Sequence, residues 1–374
     1  METEQRTLSR TEHRDWLRLI RSENVGPATF RSLMERYGSA ANAIEAAPEL
    51  SRRGGKKRAI RIIPEFEADD ELSVLEENGG SLIGLCEPEY PQALATIHDP
   101  PPLLQVFGDT TLLNKPSLGI VGARNASAAG RVFARDIAGS LGKEGLVVSS
   151  GLARGIDTAA HEGALNTGTI AVVAGGIDIV YPRENESLYE KIVQSGAIIS
   201  KQPFGTSPTA RHFPPRNRLI AGLSFGVLVV EAALRSGSLI TARMALEQGR
   251  EVFSVPGSPR DPRHKGTNGL LRDGAILTET AEDIISQISL MLKTVAASQE
   301  FVKLLPETTE DVPENETSEA RNEVCELLGP VAVSIDELLR ECQLSPAVVL
   351  TVLLELELAG RLERHPGNMV SLKS

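Results

Sequence analysis

The chain has 374 residues, 41% of them hydrophobic, a length that suits two or three domains. No apolar run reaches the ~20 residues that cross a bilayer, and Met1 to Arg14 lacks the apolar centre of a secretory leader, so a cytoplasmic protein with no membrane partner is expected. The formal net charge of −11 excludes indiscriminate polynucleotide binding, since counterion release depends on where Lys and Arg are placed.

From Thr11 to Glu77, Trp16, Leu17, Leu19 and Ile20, then Phe30, Leu33 and Met34, recur at helical spacing and predict a small all-α module. Within it, Asn24-Val25-Gly26-Pro27 followed by Phe30, Leu33 and Tyr37-Gly38-Ser39 has the form of a helix-hairpin-helix, whose glycine turn brings backbone amides to a phosphate. An ordinary helix-turn-helix packing contact fits the same residues. The run Arg52-Arg53-Gly54-Gly55-Lys56-Lys57-Arg58 reads as a phosphate contact or as an exposed loop.

Beyond Leu118 the grammar changes. Residues 118–121, 146–149, 169–173, 197–199, 226–230 and 251–255 are continuous short apolar runs separated by helical stretches, which predicts buried parallel strands in a Rossmann-like, doubly wound, mostly parallel α/β sheet. Ligands of such sheets sit at the carboxyl ends of the strands. Between Lys201 and Asp273 eleven Lys/Arg face five Asp/Glu, a basic stretch in an acidic chain. Between Glu300 and Glu319 seven acidic residues face one basic, and too few apolar groups remain to offset chain entropy, so a linker is expected. Three further helical patterns and a hairpin across His365-Pro366-Gly367-Asn368 then suggest a winged helix, with Ser345 and Pro346 as N-cap and first turn. The expected domains are 1–80, helical and of SAM or helix-hairpin-helix type; 81–296, Rossmann-like; 297–317, linker; and 318–374, winged helix.

The turns after the strands carry the chemistry. Gly122-Ala123-Arg124 precedes a helix and offers backbone amides, a helix N-terminus and a guanidinium fork to an anion, or is simply a strand-helix turn that needs small residues. Ser150 and Gly151 leave room for a ligand beside the backbone. Asp157 and His161 lie at i, i+4, but with no third ligand nearby they read as capping and local hydrogen bonding, and no metal or cofactor is expected. Cys86, Cys325 and Cys342 lie far apart and read as reduced thiols. In Phe213-Pro214-Pro215-Arg216-Asn217-Arg218, the arginines suit phosphates, Asn217 a base edge or backbone group, and Phe213 an unpaired base. Ser236-Gly237-Ser238 combines a helix N-terminus with hydroxyl donors.

These blocks, with Ser150 to Asp157, Tyr181-Pro182-Arg183-Glu184-Asn185, Ser236 to Ala242, Val255-Pro256-Gly257 and Gly266-Thr267-Asn268, resemble the DNA-processing protein A (DprA, or Smf) family from about Leu103 to Ile284. The resemblance implies a homodimer, not an enzyme, that binds single-stranded DNA, loads RecA recombinase on it and protects incoming DNA during natural transformation. By motif it puts DNA contacts on Arg124, Phe213, Arg216, Asn217, Arg218 and Ser236-Gly237-Ser238, with Arg211 as a softer candidate. Ser200-Lys201-Gln202-Pro203 departs from the family's acidic residue after Ser, and Lys201 could add a contact there.

The alternative is a nucleotide-cleaving phosphoribohydrolase on the same kind of sheet. Its Pro-Gly-Gly-x-Gly-Thr signature with a trailing Glu is missing, and Glu231 with Arg243 reads as a structural ion pair before it reads as chemistry.

Overall fold

Alternate side chains of a strand point to opposite faces, so a strand that is apolar throughout needs cover on both sides. The computed structural model, which describes residues 5–58, 60–289, 317–342, 344–365 and 367–373, builds that cover from helices. Most of the expected linker at 297–317 falls outside those residues. The chain forms two compact units: one runs from Glu71 through the sheet, and the other joins Ser9–Asp70 to the C-terminal residues.

In the first unit nine strands lie in the order β1-β2-β6-β5-β4-β3-β7-β8-β9. All six expected strands are present: β3 (Ser117–Val121), β4 (Val147–Ser150), β5 (Thr169–Val172), β6 (Ala197–Ser200), β7 (Gly226–Val229) and β8 (Glu251–Ser254). They pair in parallel, and β9 (Ile276–Leu277) extends them. Sequence reading missed β1 (Ser81–Gly84) and β2 (Leu103–Gly108), which pair antiparallel and add an antiparallel edge beside β6. Leu118, Ile120, Val148, Leu228 and Val230 point to one face, under α6 (Ala128–Lys143), α7 (Ile156–Ala164) and helical residues 281–289. Val121, Val147, Val227 and Val229 point to the other, under α9 (Phe213–Leu223) and α10 (Gly237–Glu247).

Strand order decides where a ligand can enter. From β3 the chain winds outward through β4 and β5 to β6, then returns to place β7 on the other side of β3. The loops after β3 and β7 therefore diverge to opposite faces and leave a crevice at the carboxyl edge of the sheet.

In the second unit α1 (Arg10–Arg21), α2 (Pro27–Tyr37) and α3 (Ala40–Arg53) form the helical module. Helix α1 opens with a capping box in which Ser9 and Glu12 satisfy each other's backbone N–H groups. The Trp16 and Phe30 rings meet edge to face at 5.0 Å. The C-terminal part is a winged helix: α13 (Thr317–Leu327), β10 (Val333–Ser334), α14 (Ile335–Glu341), α15 (Pro346–Leu358), β11 (Leu362–His365) and β12 (Met369–Leu372), with sheet order β10-β12-β11. No helix among the described residues is long and apolar enough to cross a membrane.

Candidate nucleic-acid interface

At the carboxyl edge two basins open side by side. The first, of about 760 Å³, is lined by the turn after β3 (Gly122, Ala123, Arg124), the start of α9 (Phe213, Arg216, Asn217) and the turn after β7 (Arg235, Ser236, Gly237, Ser238). The second, of about 770 Å³, is lined by Gly151, Arg154 and Tyr181 to Glu184. Arg124, Asn125, Ala153, Phe213 and Arg216 belong to both, so the basins form one trough with these residues at its middle.

Phe213 is half-buried there. The Arg124 guanidinium carbon stands 5.2 Å from its ring centroid, that of Arg216 5.5 Å, and the Tyr181 ring meets it edge-on at 5.9 Å. Cation-π attraction holds both guanidinium groups near the ring while Arg124 stays exposed. Arg124, Arg183 and Arg235 make no ion pair among the described residues, whereas Arg154 is paired with Glu184 and Arg263 with Asp261 at 2.7 Å.

Arg216 is in a different state. It is 6% exposed and donates no hydrogen bond within the described protein, and its nearest acid is Asp157, with Nη1 4.0 Å from the carboxylate. Burial lowers the Arg216 pKa and raises that of Asp157, against the pull each charge exerts on the other. Burial wins for both because 4.0 Å is a loose contact. A guanidinium has five donors, and these lie at the floor of the trough with only an incoming acceptor left to satisfy them.

Small residues shape this floor. A Cβ on Gly151 would lie 1.5 Å from Arg216 Nη1 and 2.8 Å from the Asp157 carboxylate, so Gly151 makes room for the arginine. Gly155, at φ +81°, brings the start of α7 against the turn after β3, where a Cβ would meet the Ala123 carbonyl oxygen at 2.3 Å. The Ser150 hydroxyl donates to the Ile120 carbonyl at 2.6 Å and ties neighbouring strands.

The two helix N-termini expected as anion seats differ. At α6 the seat is filled from within: the buried Glu231 carboxylate accepts from the Ser127 backbone N–H at 2.9 Å and its hydroxyl at 2.5 Å. A negative charge at the positive end of the helix dipole is favourable, and it leaves no seat there for a phosphate. The expected pairing of Glu231 with Arg243 does not occur, because Arg243 faces solvent on α10. Helix α10 is open. Ser236 caps it, the Ser236 and Ser238 hydroxyls lie 2.7 Å apart, and a Cβ on Gly237 would meet nothing within 4 Å. The Asn217 side-chain amide donates to the Gly237 carbonyl at 3.4 Å, which places the first turns of α9 and α10 together.

Three residues marked in the sequence line neither basin: Lys201, after β6; Arg211, which contacts His212 Nε2 at 3.3 Å; and Arg218, whose guanidinium is hydrogen-bonded to Asp99. Arg218 follows Arg216 by two positions on α9, which rotates it about 200° around the helix, so the phosphate contact expected from it is replaced by a structural ion pair. Asn125, Arg183, Arg235 and Arg263 also line the trough and were not singled out; all four lie between a strand and the helix that follows it, the signal that could have found them. His161 is fully buried, with Nδ1 2.7 Å from the Thr169 hydroxyl. No group of three potential metal ligands occurs among the described residues.

Comparison with known proteins places this arrangement. The family model described as DNA recombination-mediator protein A matches residues 81–289, a DprA-like N-terminal HHH domain matches 10–73, and a DprA winged helix domain matches 308–368. Protein Smf of Escherichia coli is 37% identical over 313 residues, 83% of this chain and 82% of the relative. The structure of DNA processing protein A from Streptococcus pneumoniae superposes with a TM-score of 0.62 at 30% identity, covering 75% of this chain and 98% of that one. The Helicobacter pylori protein, whose structure concerns a single-stranded DNA binding mode, gives 0.52 at 32% identity over 57% and 96%.

Proposed function

This chain belongs to the DNA recombination-mediator protein A family, and from that premise we propose that it binds single-stranded DNA along the trough at the carboxyl edge of its sheet. The observation that carries the reading is Arg216: a buried cation without a hydrogen-bond acceptor, at the floor shared by two basins, which a phosphate oxygen would satisfy. Around it, Arg124, Arg183 and Arg235 supply charge for neighbouring phosphates, the open start of α10 offers backbone N–H groups, and Phe213 with Tyr181 offers faces for unpaired bases. Backbone groups and guanidinium forks read phosphate and not base identity, so sequence preference is slight.

In this reading the protein acts in the cytoplasm as a homodimer, protects incoming single strands and delivers them to RecA recombinase during natural transformation, as a binding protein and not an enzyme. Glu231, the acid the hydrolase alternative would use, lines neither basin and is engaged by Ser127, which speaks against that alternative.

Fluorescence anisotropy with labelled oligo-dT and a duplex of equal length, each at two salt concentrations, tests the proposal. Tight, salt-sensitive binding of the single strand is expected; no response to oligo-dT at low ionic strength would overturn it.

A further inference from the structure

Within the second unit, the hairpin turn that the sequence marks as a phosphate seat is occupied by the chain itself. Asn24, at φ +60°, donates its side-chain amide to the Leu358 carbonyl at 3.1 Å, and the Ser51 hydroxyl donates to the same oxygen at 3.3 Å. Leu358 is the last residue of α15, so the acceptor is one of the carbonyls that end a helix without a helical partner and carry the negative end of its dipole. Chemically, the helix end presents to the turn what a phosphate would: partly charged oxygen.

The fit is close. A Cβ on Gly54 would lie 2.0 Å from the Glu355 carbonyl oxygen, and one on Gly360, at φ +74°, 2.9 Å from the Asn24 amide nitrogen. Arg36 donates to the Thr351 hydroxyl at 2.8 Å, and Arg361 to the Gly54 carbonyl at 3.2 Å.

Helix α15 is built for two partners. Val348, Val349, Val352, Leu353 and Leu356 pack into the winged-helix core. Thr351, Leu354 and Leu358, at the same helical spacing, form the opposite strip and are buried although they lie outside that core, while the Glu355 carboxylate beside them accepts from Arg321 of α13. As the third helix of a winged helix, α15 stands where such folds present a helix to the major groove. Yet Pro346–Leu358 contains no Lys or Arg, and Ser318 to Ser374 carries nine Asp/Glu against five Lys/Arg.

We infer that the Asn24-Val25-Gly26 turn is a receptor for the C-terminal end of α15, so that the two terminal domains bind each other and α15 is a protein-binding element, not a DNA-reading one. The residues involved all belong to the second unit, and the inference does not rest on the proposed DNA binding.

The test uses the full chain with a specific protease site inserted within 297–317. After native cleavage, the C-terminal fragment is expected to co-elute with the remainder on gel filtration and to stay bound in excess duplex DNA. Leu354→Arg should release it with its helical circular dichroism intact, and Gly54→Leu should release a fragment of unaltered sequence, which decides the matter if the first variant unfolds. Separate elution of the parent fragment, retention in both variants, or release by duplex DNA would overturn the inference.

Discussion

The Glu231 carboxylate accepts both the backbone N–H and the hydroxyl of Ser127, at 2.9 and 2.5 Å, and so seals the start of α6 with a charge from the neighbouring strand's loop. The bond makes Ser127 a structural residue beside the trough. Ser127→Ala removes the cap and leaves a buried carboxylate with one donor fewer, so a loss of about 1–3 kcal/mol in stability is expected in urea denaturation. Oligo-dT affinity should change by less than about threefold if the α6 seat is unused, in contrast to loss of a phosphate contact.

Arg124 and Arg218 carry the same charge in different settings. Arg124→Ala is expected to weaken oligo-dT binding and reduce the salt slope by about 0.7, the value for one phosphate contact on a single strand. Arg218→Ala, which breaks the pair with Asp99, should leave the slope unchanged. Equal slopes for both variants would show that the trough is not the binding surface.

Phe213→Ala removes a ring that both Arg124 and Arg216 face. A loss of roughly 1–3 kcal/mol in binding, largely restored by Phe213→Trp, is the outcome for a base-stacking role. A variant that binds normally would exclude stacking at this position.

Gly151→Ala drives a methyl group into the space of Arg216 Nη1. If the glycine acts only through that arginine, Gly151→Ala and Arg216→Ala should each weaken binding by at least tenfold while the double variant is no worse than Arg216→Ala alone. A double-mutant cycle measures this directly; additive losses would mean that Gly151 touches the ligand itself.

His161 supplies a pH dependence. Thr169 gives its hydroxyl proton to the Val148 carbonyl, so the imidazole donates from Nδ1, while its buried Nε2 has no partner. Burial, with Arg216 adding to it, lowers its pKa from 6.5 to about 3. A group whose folded pKa lies below its unfolded value takes up its proton only on unfolding in the window between them. Stability is thus fully present above pH 6.5 and falls with acidification, at up to about 1.4 kcal/mol per pH unit towards pH 3. Asp157, with its pKa raised by burial, contributes the opposite slope, and the comparison that isolates the histidine is parent against His161→Gln. Denaturation midpoints of the two that run parallel between pH 7 and 4.5 would refute this account.

Much of the fold was legible because its signals are local. Short continuous apolar runs rich in valine, such as 226–230, suit strands covered on both faces, and the Ser345-Pro346 cap marks the start of α15 without reference to anything distant. The edge formed by β1 and β2 escaped notice because a four-residue and a six-residue strand preceding the repeating pattern carry no crossover helix to announce them. Of the candidate site, Arg124 and the Ser236 turn stand out by their place after strands and Phe213, Arg216 and Asn217 by an aromatic beside basic residues, and the structure gathers them around one trough.

By itself the sequence determined which segments become the six central parallel strands and which turns follow them, since periodicity and turn chemistry act over a few residues. Only the tertiary structure decided how each charge is spent: Arg218 on Asp99, Glu231 on Ser127, the hairpin turn on the end of α15, and Arg216 on a loose pair with Asp157 that leaves it without a hydrogen-bond acceptor among the described residues. The physical reason is that electrostatic pairing depends on distances between residues tens to hundreds of positions apart, and one or two positions along a helix suffice to send a side chain to a different partner.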